Sequence, residues 1–265
     1  MPADAPWSLA GRVAFVTGPA KGMGAAISRA LAAAGADLVL AGRDVDAITP
    51  VAREVRATGR EALVVACDVT AEAAVEAAVA AARERFARLD ILVNVAGGTG
   101  PLEVTLHETD RQALDDIVQL NLDGCFLTSK HVVPHMIAQR YGKIVHVGGT
   151  FGLRGQALRG AYSVSKWALR GLAKSQALEL GPHDINVNVV CPGMVDGPRF
   201  ETVCAAKAAT QGVDTATVRA QIAAQYALRR ITTAEDVAGV VAFLASDAAR
   251  AVTGQDIPVD GGSWI

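Results

Sequence analysis

Seven short β-branched runs recur along the chain with longer Ala-rich amphipathic stretches between them: "RVAFVT", "DLVLAG", "ALVVACDV", "ILVNVAG", "KIVHVG", "INVNVVCPG" and "DIPVDGG". Strands separated by helix-length segments cannot be joined by hairpins, so the alternation predicts a parallel sheet built from βα units. The runs are nearly continuous in apolar residues rather than alternating, which requires cover on both faces. The expected fold class is therefore α/β, a Rossmann-type doubly wound parallel sheet flanked by helices on both faces. With 265 residues of which 51% are hydrophobic, the chain supports one well-buried core, so a single domain over 1–265 is expected. In "TTAEDVAGVVAFLASDAA", Thr233 and Asp236 form a predicted capping box, and Val237, Val240, Val241 and Leu244 mark one apolar face. One stretch breaks the rhythm. Residues 198–231 lie between two βα units with a helical pattern of their own, which reads as a substrate-loop insertion over the carboxyl edge of the sheet.

Charge and composition exclude several functions. A formal charge of −2 with mixed signs along the chain gives no basic stripe for a phosphate backbone, so no nucleic-acid partner is expected. The opening "MPADAPWSLAGR", with Asp4 and two prolines, has neither a basic nor an apolar leader region, and no later apolar run reaches membrane-spanning length. A soluble cytoplasmic protein is expected. Cys67, Cys125, Cys191 and Cys204 are far apart and have no His at metal spacing, so they read as buried free thiols, with no metal site.

The first strand passes into a helix through Gly18, Gly22 and Gly24, spaced G-x-x-x-G-x-G. Glycines allow a tight turn and close backbone approach, and the helix N-terminus then offers free N–H groups to a pyrophosphate. About eighteen residues on, where a dinucleotide fold often holds an acid for the adenosine ribose, the chain has Gly42 and Arg43. The missing carboxylate, with Arg43 and Lys21 as cations, favours NADP(H), with NAD(H) possible. The alternative for either cation is a solvated loop.

In order, "TGPAKGMG", "CDV", "NVAG", "LNLDG", "YSVSK", "CPGMV" and "VDGG" make the chain resemble a short-chain dehydrogenase/reductase over nearly its whole length. That resemblance implies an NAD(P)-dependent oxidoreductase acting on a small alcohol or carbonyl substrate. It implies cofactor contacts from Met23 in the glycine turn, from Asp68 and Val69, from Asn94, Ala96 and Gly97, and from Pro192, Gly193 and Val195. It also implies a homo-oligomer, a tetramer or dimer joined through the long helices that contain Asn121 and Tyr162. Tyr162 and Lys166 are four apart and share a helix face. A nearby ammonium lowers a phenol's pKa, suiting Tyr162 to act as acid and base. By resemblance Lys166 also holds the nicotinamide ribose and Asn121 extends a proton relay. Two positions depart from the family. Gly197 stands where a Thr usually meets the carboxamide, and Gly149 stands where the catalytic Ser is expected. Loss of one such donor costs about 3–4 kcal/mol of transition-state stabilisation, so a catalytically silent cofactor-binding protein is the alternative expectation. Thr150 is the nearest substitute hydroxyl, and the two glycines before it allow the chain to bend and re-aim it. Arg154 and Arg159 could meet an anionic substrate, with a solvated loop as the alternative.

Overall fold

Each apolar run contains a strand: β1 (Val13–Thr17), β2 (Asp37–Gly42), β3 (Ala62–Ala66), β4 (Ile91–Asn94), β5 (Gly142–Val147), β6 (Ile185–Pro192) and β7 (Asp256–Val259). The structure, a computed structural model, describes residues 5–263, so Asp4 lies outside the described residues. All seven strands are parallel in the order β3-β2-β1-β4-β5-β6-β7. From β1 the chain moves outward to β3, returns to β4 beside β1, and then moves the other way. This reversal opens a crevice above the carboxyl ends of β1 and β4, the place where doubly wound sheets bind ligands.

Nine α-helices join the strands of the described chain: α1 (Gly22–Ala33), α2 (Val45–Ala57), α3 (Glu72–Phe86), α4 (Arg111–Val118), α5 (Gly124–Gln139), α6 (Gly160–Leu180), α7 (Pro198–Gln211), α8 (Thr215–Ala223) and α9 (Ala234–Ala245). Successive side chains of a strand point to opposite faces, and both faces are covered. Ala14 and Val16 of β1 pack with α1, α2 and α9, whereas Val13 and Phe15 pack with α3, α5 and α6. This is why every residue of β1 is buried and the strand sequence does not alternate.

The α9 start is fixed as the sequence requires: Thr233 accepts from the Asp236 amide, and the Asp236 side chain accepts from the Thr233 amide. The segment from residue 198 forms α7 and α8, whose apolar faces bury Phe200, Cys204, Ala208, Val218, Tyr226 and Ile231 in a small core separate from the two beside the sheet. Its end is tied back by Ala227 and Leu228 amides donating to the carbonyls of Gly262 and Gly261, at 3.2 and 3.0 Å. Among the described residues no helix is long and apolar enough to cross a membrane. No group of His, Cys, Asp and Glu among them could hold a metal ion.

Candidate active site

The turn after β1 closes on itself. Gly18 has φ +65° and Gly22 φ +55°, and a Cβ at Gly24 would lie 2.0 Å from the Gly18 carbonyl oxygen, so the first turn of α1 presses directly on the loop. Lys21, at the α1 N-cap, makes no side-chain capping bond, and the first turn carries no acid. The free amides of this terminus therefore face the crevice without a competing anion, an arrangement that fits a dinucleotide pyrophosphate. Met23 packs on the core beside α1, and Lys21 is exposed.

At the end of β2, Gly42 is hemmed by Ile48, whose Cδ1 would lie 2.9 Å from an added Cβ. Arg43 is exposed, and Asp44 is committed to capping α2 through the Ala47 amide at 3.0 Å. After β3, Asp68 accepts from the Thr70 amide at 3.0 Å and the Thr70 hydroxyl at 2.7 Å. Those bonds hold its carboxyl below the usual range, and the charge of Arg43 adds to them. Val69 is buried against Gly124, where an added Cβ would come within 2.8 Å of its Cγ2.

After β4 the chain is pinned by a residue the sequence reading did not single out. Thr17 accepts from the amides of Val95 and Ala96, at 3.0 and 3.1 Å, which locks the loop holding Ala96 and Gly97 to the end of β1. Asn94 points into the sheet, where its Oδ1 accepts from Thr128 at 2.8 Å and its amide nitrogen donates to His146 Nδ1 at 3.2 Å. Pro192 ends β6, the Gly193 amide donates to Val259, and Val195 bridges Thr232. These positions all lie at the carboxyl edge.

Asn121 lies in a π-helical turn, Gln119–Asp123, between α4 and α5. The extra residue in that turn displaces the helical register, a distortion common at functional positions. Fully buried there, Asn121 clamps Gly98: its Oδ1 accepts from the Gly98 amide at 2.9 Å and its Nδ2 donates to the Gly98 carbonyl. The same Nδ2 donates to Ser165 at 3.0 Å, and Ser165 in turn donates to the Tyr162 carbonyl at 2.8 Å. Ser165, also not singled out from the sequence, thus couples the Asn121 turn to α6. Lys166 lies one turn on and donates to the Val147 carbonyl at 2.9 Å. Gly97 lies between these groups, since an added Cβ would meet Asn121 Oδ1 at 2.9 Å and Lys166 Nζ at 3.8 Å.

The chain leaves β5 at Val147 and enters a 3₁₀ turn, Thr150–Gly152, directly after the two glycines. An added Cβ at Gly149 would come 2.7 Å from the Tyr162 hydroxyl. The phenol therefore occupies the room in which a serine side chain would stand. Thr150 is buried, and neither its hydroxyl nor that of Tyr162 has a hydrogen-bond partner among the described residues.

Burial pushes the Tyr162 phenol up, and the cations that oppose this are Arg199 and then Arg159. The four-residue spacing makes Lys166 the expected source of such a charge. Its Nζ lies 5.9 Å from the Tyr162 ring centroid and is bound to Val147, and burial lowers its own pKa. Arg159 instead stacks over the phenol ring, with its guanidinium carbon 5.1 Å from the centroid. Cys125 and Cys191, whose thiols desolvation pushes up to about 11, are inert neighbours.

A family model described as enoyl-(acyl carrier protein) reductase matches residues 18–263. A short-chain dehydrogenase/reductase of Armillaria gallica is 38% identical over 260 residues, covering 95% of each chain. This chain belongs to the short-chain dehydrogenase/reductase family. Cis-4-hydroxycyclohexanecarboxylate dehydrogenase of Sinomonas cyclohexanicum is 40% identical over 255 residues, 96% of this chain and 97% of that protein. The crystal structure of an NAD⁺-bound xylitol dehydrogenase, 31% identical, superposes with a TM-score of 0.90 over 96% of this chain and 99% of that one. As a short-chain dehydrogenase/reductase the protein is an oxidoreductase, and the parallel sheet read from the sequence is the fold of its family.

Proposed function

We propose that this short-chain dehydrogenase/reductase is an NADP(H)-preferring alcohol dehydrogenase or ketone reductase of the cytoplasm, with Tyr162 as acid and base on a small alcohol or carbonyl compound. The observation that carries the reading is a linked set: Asn121 and Lys166 flank Gly97, Asn121 clamps Gly98, and Ser165 ties Asn121 to the Tyr162 backbone, beside a glycine turn whose helix terminus is free to receive phosphates. The bound nicotinamide supplies or accepts the hydride. Tyr162 donates its proton to the carbonyl oxygen in reduction and takes the alcohol proton in oxidation. Lys166 is anchored on Val147 and has two further N–H bonds for the cofactor ribose. Asn121 fixes the Gly98 peptide and, with its turn, carries the relay away from the phenol. Relatives that act on a hydroxylated ring or on xylitol support a small alcohol as substrate.

The cofactor contacts assigned here are Gly18, Lys21, Gly22, Met23, Gly24, Arg43, Asp68, Val69, Asn94, Ala96, Gly97, Pro192, Gly193 and Val195, with Tyr162 and Lys166. Exposed Arg43, next to Gly42, and exposed Lys21, in the glycine turn, favour the 2′-phosphate of NADP(H) over the bare hydroxyl of NAD(H). Four free buried cysteines suit a reducing compartment. The α7–α8 segment roofs the substrate pocket, and exposed Phe126 on α5 and Trp167 on α6 suit a homo-oligomer, a tetramer or dimer. The competing expectation of a silent cofactor binder rested on Gly149 alone, and the Tyr162 hydroxyl fills that space.

The test is kcat/KM over a panel of small ketones and alcohols with NADPH and NADH. Tyr162→Phe is expected to lower turnover about 10²–10⁴-fold, and Arg43→Ala to erode a preference for NADPH. Tight cofactor binding with no turnover of any panel member, or a variant as active as the parent, would remove Tyr162 from the chemistry. An NADH preference unchanged in Arg43→Ala would assign Arg43 to solvent.

A further inference from the structure

Tyr162, Lys166, Arg170 and Lys174 follow one another at four-residue spacing along α6 and so lie in one row of that helix. Each cation of the row holds a backbone carbonyl. Lys166 Nζ donates to Val147 at 2.9 Å, Arg170 Nη1 to Gly152 at 2.7 Å, and Lys174 Nζ to Gly254 at 3.0 Å. The first two carbonyls stand at the end of β5 and at the end of the 3₁₀ turn that follows it. Thr150 lies between them.

The segment between those carbonyls contains Gly148, Gly149 and Gly152, residues of wide backbone freedom, so its order depends on contacts made from outside. It closes on itself through the Gly152 amide, which donates to Gly149 at 2.8 Å, and the Leu153 amide, which donates to Thr150 at 2.9 Å. Gly152 then rests on α6, where an added Cβ would lie 3.0 Å from both the Cβ and the carbonyl oxygen of Lys166. On either side of Thr150 the turn meets Tyr162. An added Cβ at Gly149 would come 2.7 Å from the hydroxyl, and the Phe151 ring meets the phenol edge-on with centroids 6.3 Å apart.

Arg170 is itself anchored. Its Nε and Nη2 both reach Asp256 Oδ2, the first residue of β7, at 2.9 Å, and its guanidinium carbon lies 4.7 Å from the Trp167 ring centroid. Lys174 reaches the same oxygen at 2.8 Å, and Asp256 Oδ1 has no hydrogen-bond partner among the described residues. The planar fork of arginine allows one side chain to grip the carboxylate and the carbonyl together, which a lysine ammonium on a flexible stem does less well. The Asp256 contacts alone would tie β7 to α6. The bond to Gly152 extends that tie to the turn beside the phenol.

We infer that Arg170, held by Asp256, is a positioning residue: it fixes the turn at residues 149–152 and thereby keeps Thr150 in place beside Tyr162. This rests on the reading of Tyr162 as acid and base. Arg170 then acts on turnover through the backbone, and substrate binding is left alone.

The kinetic probe is cyclohexanone with NADPH, or the panel ketone that the parent reduces fastest where it does not reduce cyclohexanone. Arg170→Gln should lower kcat at least about tenfold and move KM less than about twofold, the signature of misplacement rather than lost binding. Arg170→Lys should fall between. Lys174→Gln, which gives up contacts to Asp256 and Gly254 but none to the turn, should keep the parental kcat. In the Thr150→Val background Arg170→Gln should cost little more, because both changes remove one contribution. Hydrogen exchange of the ligand-free protein needs no turnover: the peptide spanning residues 148–155 should exchange at least about tenfold faster in Arg170→Gln, with the β6 peptide unchanged. If no ketone reacts but that exchange responds, the oxidoreductase reading fails and the clamp on the turn stands. Parental kcat in Arg170→Gln, a loss of equal size in Lys174→Gln, losses that add to that of Thr150→Val, or a Thr150→Val protein with parental turnover would each overturn the positioning role, as would exchange at the turn unaltered in Arg170→Gln.

Discussion

Gly149 gives up a hydroxyl and the Tyr162 phenol moves into its place, so the question at this position is which group now orients the substrate oxygen. Thr150 follows at the start of a tight turn, buried, with a hydroxyl that binds nothing among the described residues. We expect Thr150→Val, nearly isosteric, to lower turnover by roughly 10²-fold, the effect of losing one oxyanion donor. Turnover near that of the parent would mean that water, backbone or substrate supplies the bond. Tyr162 and Lys166 could be found in the sequence because they lie four apart on one helix, so their spacing alone puts them on one face. Thr17 and Ser165 escaped that reading. Their roles depend on partners brought from the loop after β4 and from the π-helical turn, distances that no local spacing encodes.

Among elements, strands were the most legible, since their continuous apolar runs state both their length and their burial on two faces. The α9 capping box was equally local. The π-helical turn at Asn121 was not, because a one-residue expansion leaves the apolar pattern of a helix almost unchanged. A further link between elements is His146 on β5, which joins Asn94 on β4 to Gln176 on α6, at 3.2 and 2.9 Å. Asn94 donates to its Nδ1, so the ring is neutral with its proton on Nε2, donating to Gln176. Burial, the larger effect, lowers its pKa to about 4 from an ordinary 6.5. In the unfolded chain the ring takes up its proton first as pH falls, so this contribution to stability is complete above pH 6.5 and fades toward pH 4. At ~1.4 kcal/mol per pH unit it amounts to about 3 kcal/mol. Urea midpoints measured from pH 7 to 4 should therefore fall less steeply for His146→Gln than for the parent, and parallel curves would show that the ring titrates freely.

For the molecule as a whole, the outer face of α6 presents Val164, Trp167 and Leu178 to solvent, and Phe126 on α5 is half exposed. Apolar side chains aligned along a helix face, rather than scattered, suit burial against another copy. Light scattering at micromolar concentration should give the mass of a dimer or tetramer, and Trp167→Glu should shift it toward smaller species; a monomer in the parent protein would contradict the expectation. The core shared by α7 and α8 has a different consequence. Phe200, Cys204, Ala208, Val218, Tyr226 and Ile231 pack chiefly on one another, and the segment returns to the sheet through the two amides that meet Gly261 and Gly262. Mutations there are paid for locally. Because that core is separate from the two beside the sheet, the residues that the segment presents can change while the glycine turn and the Tyr162 phenol keep their places.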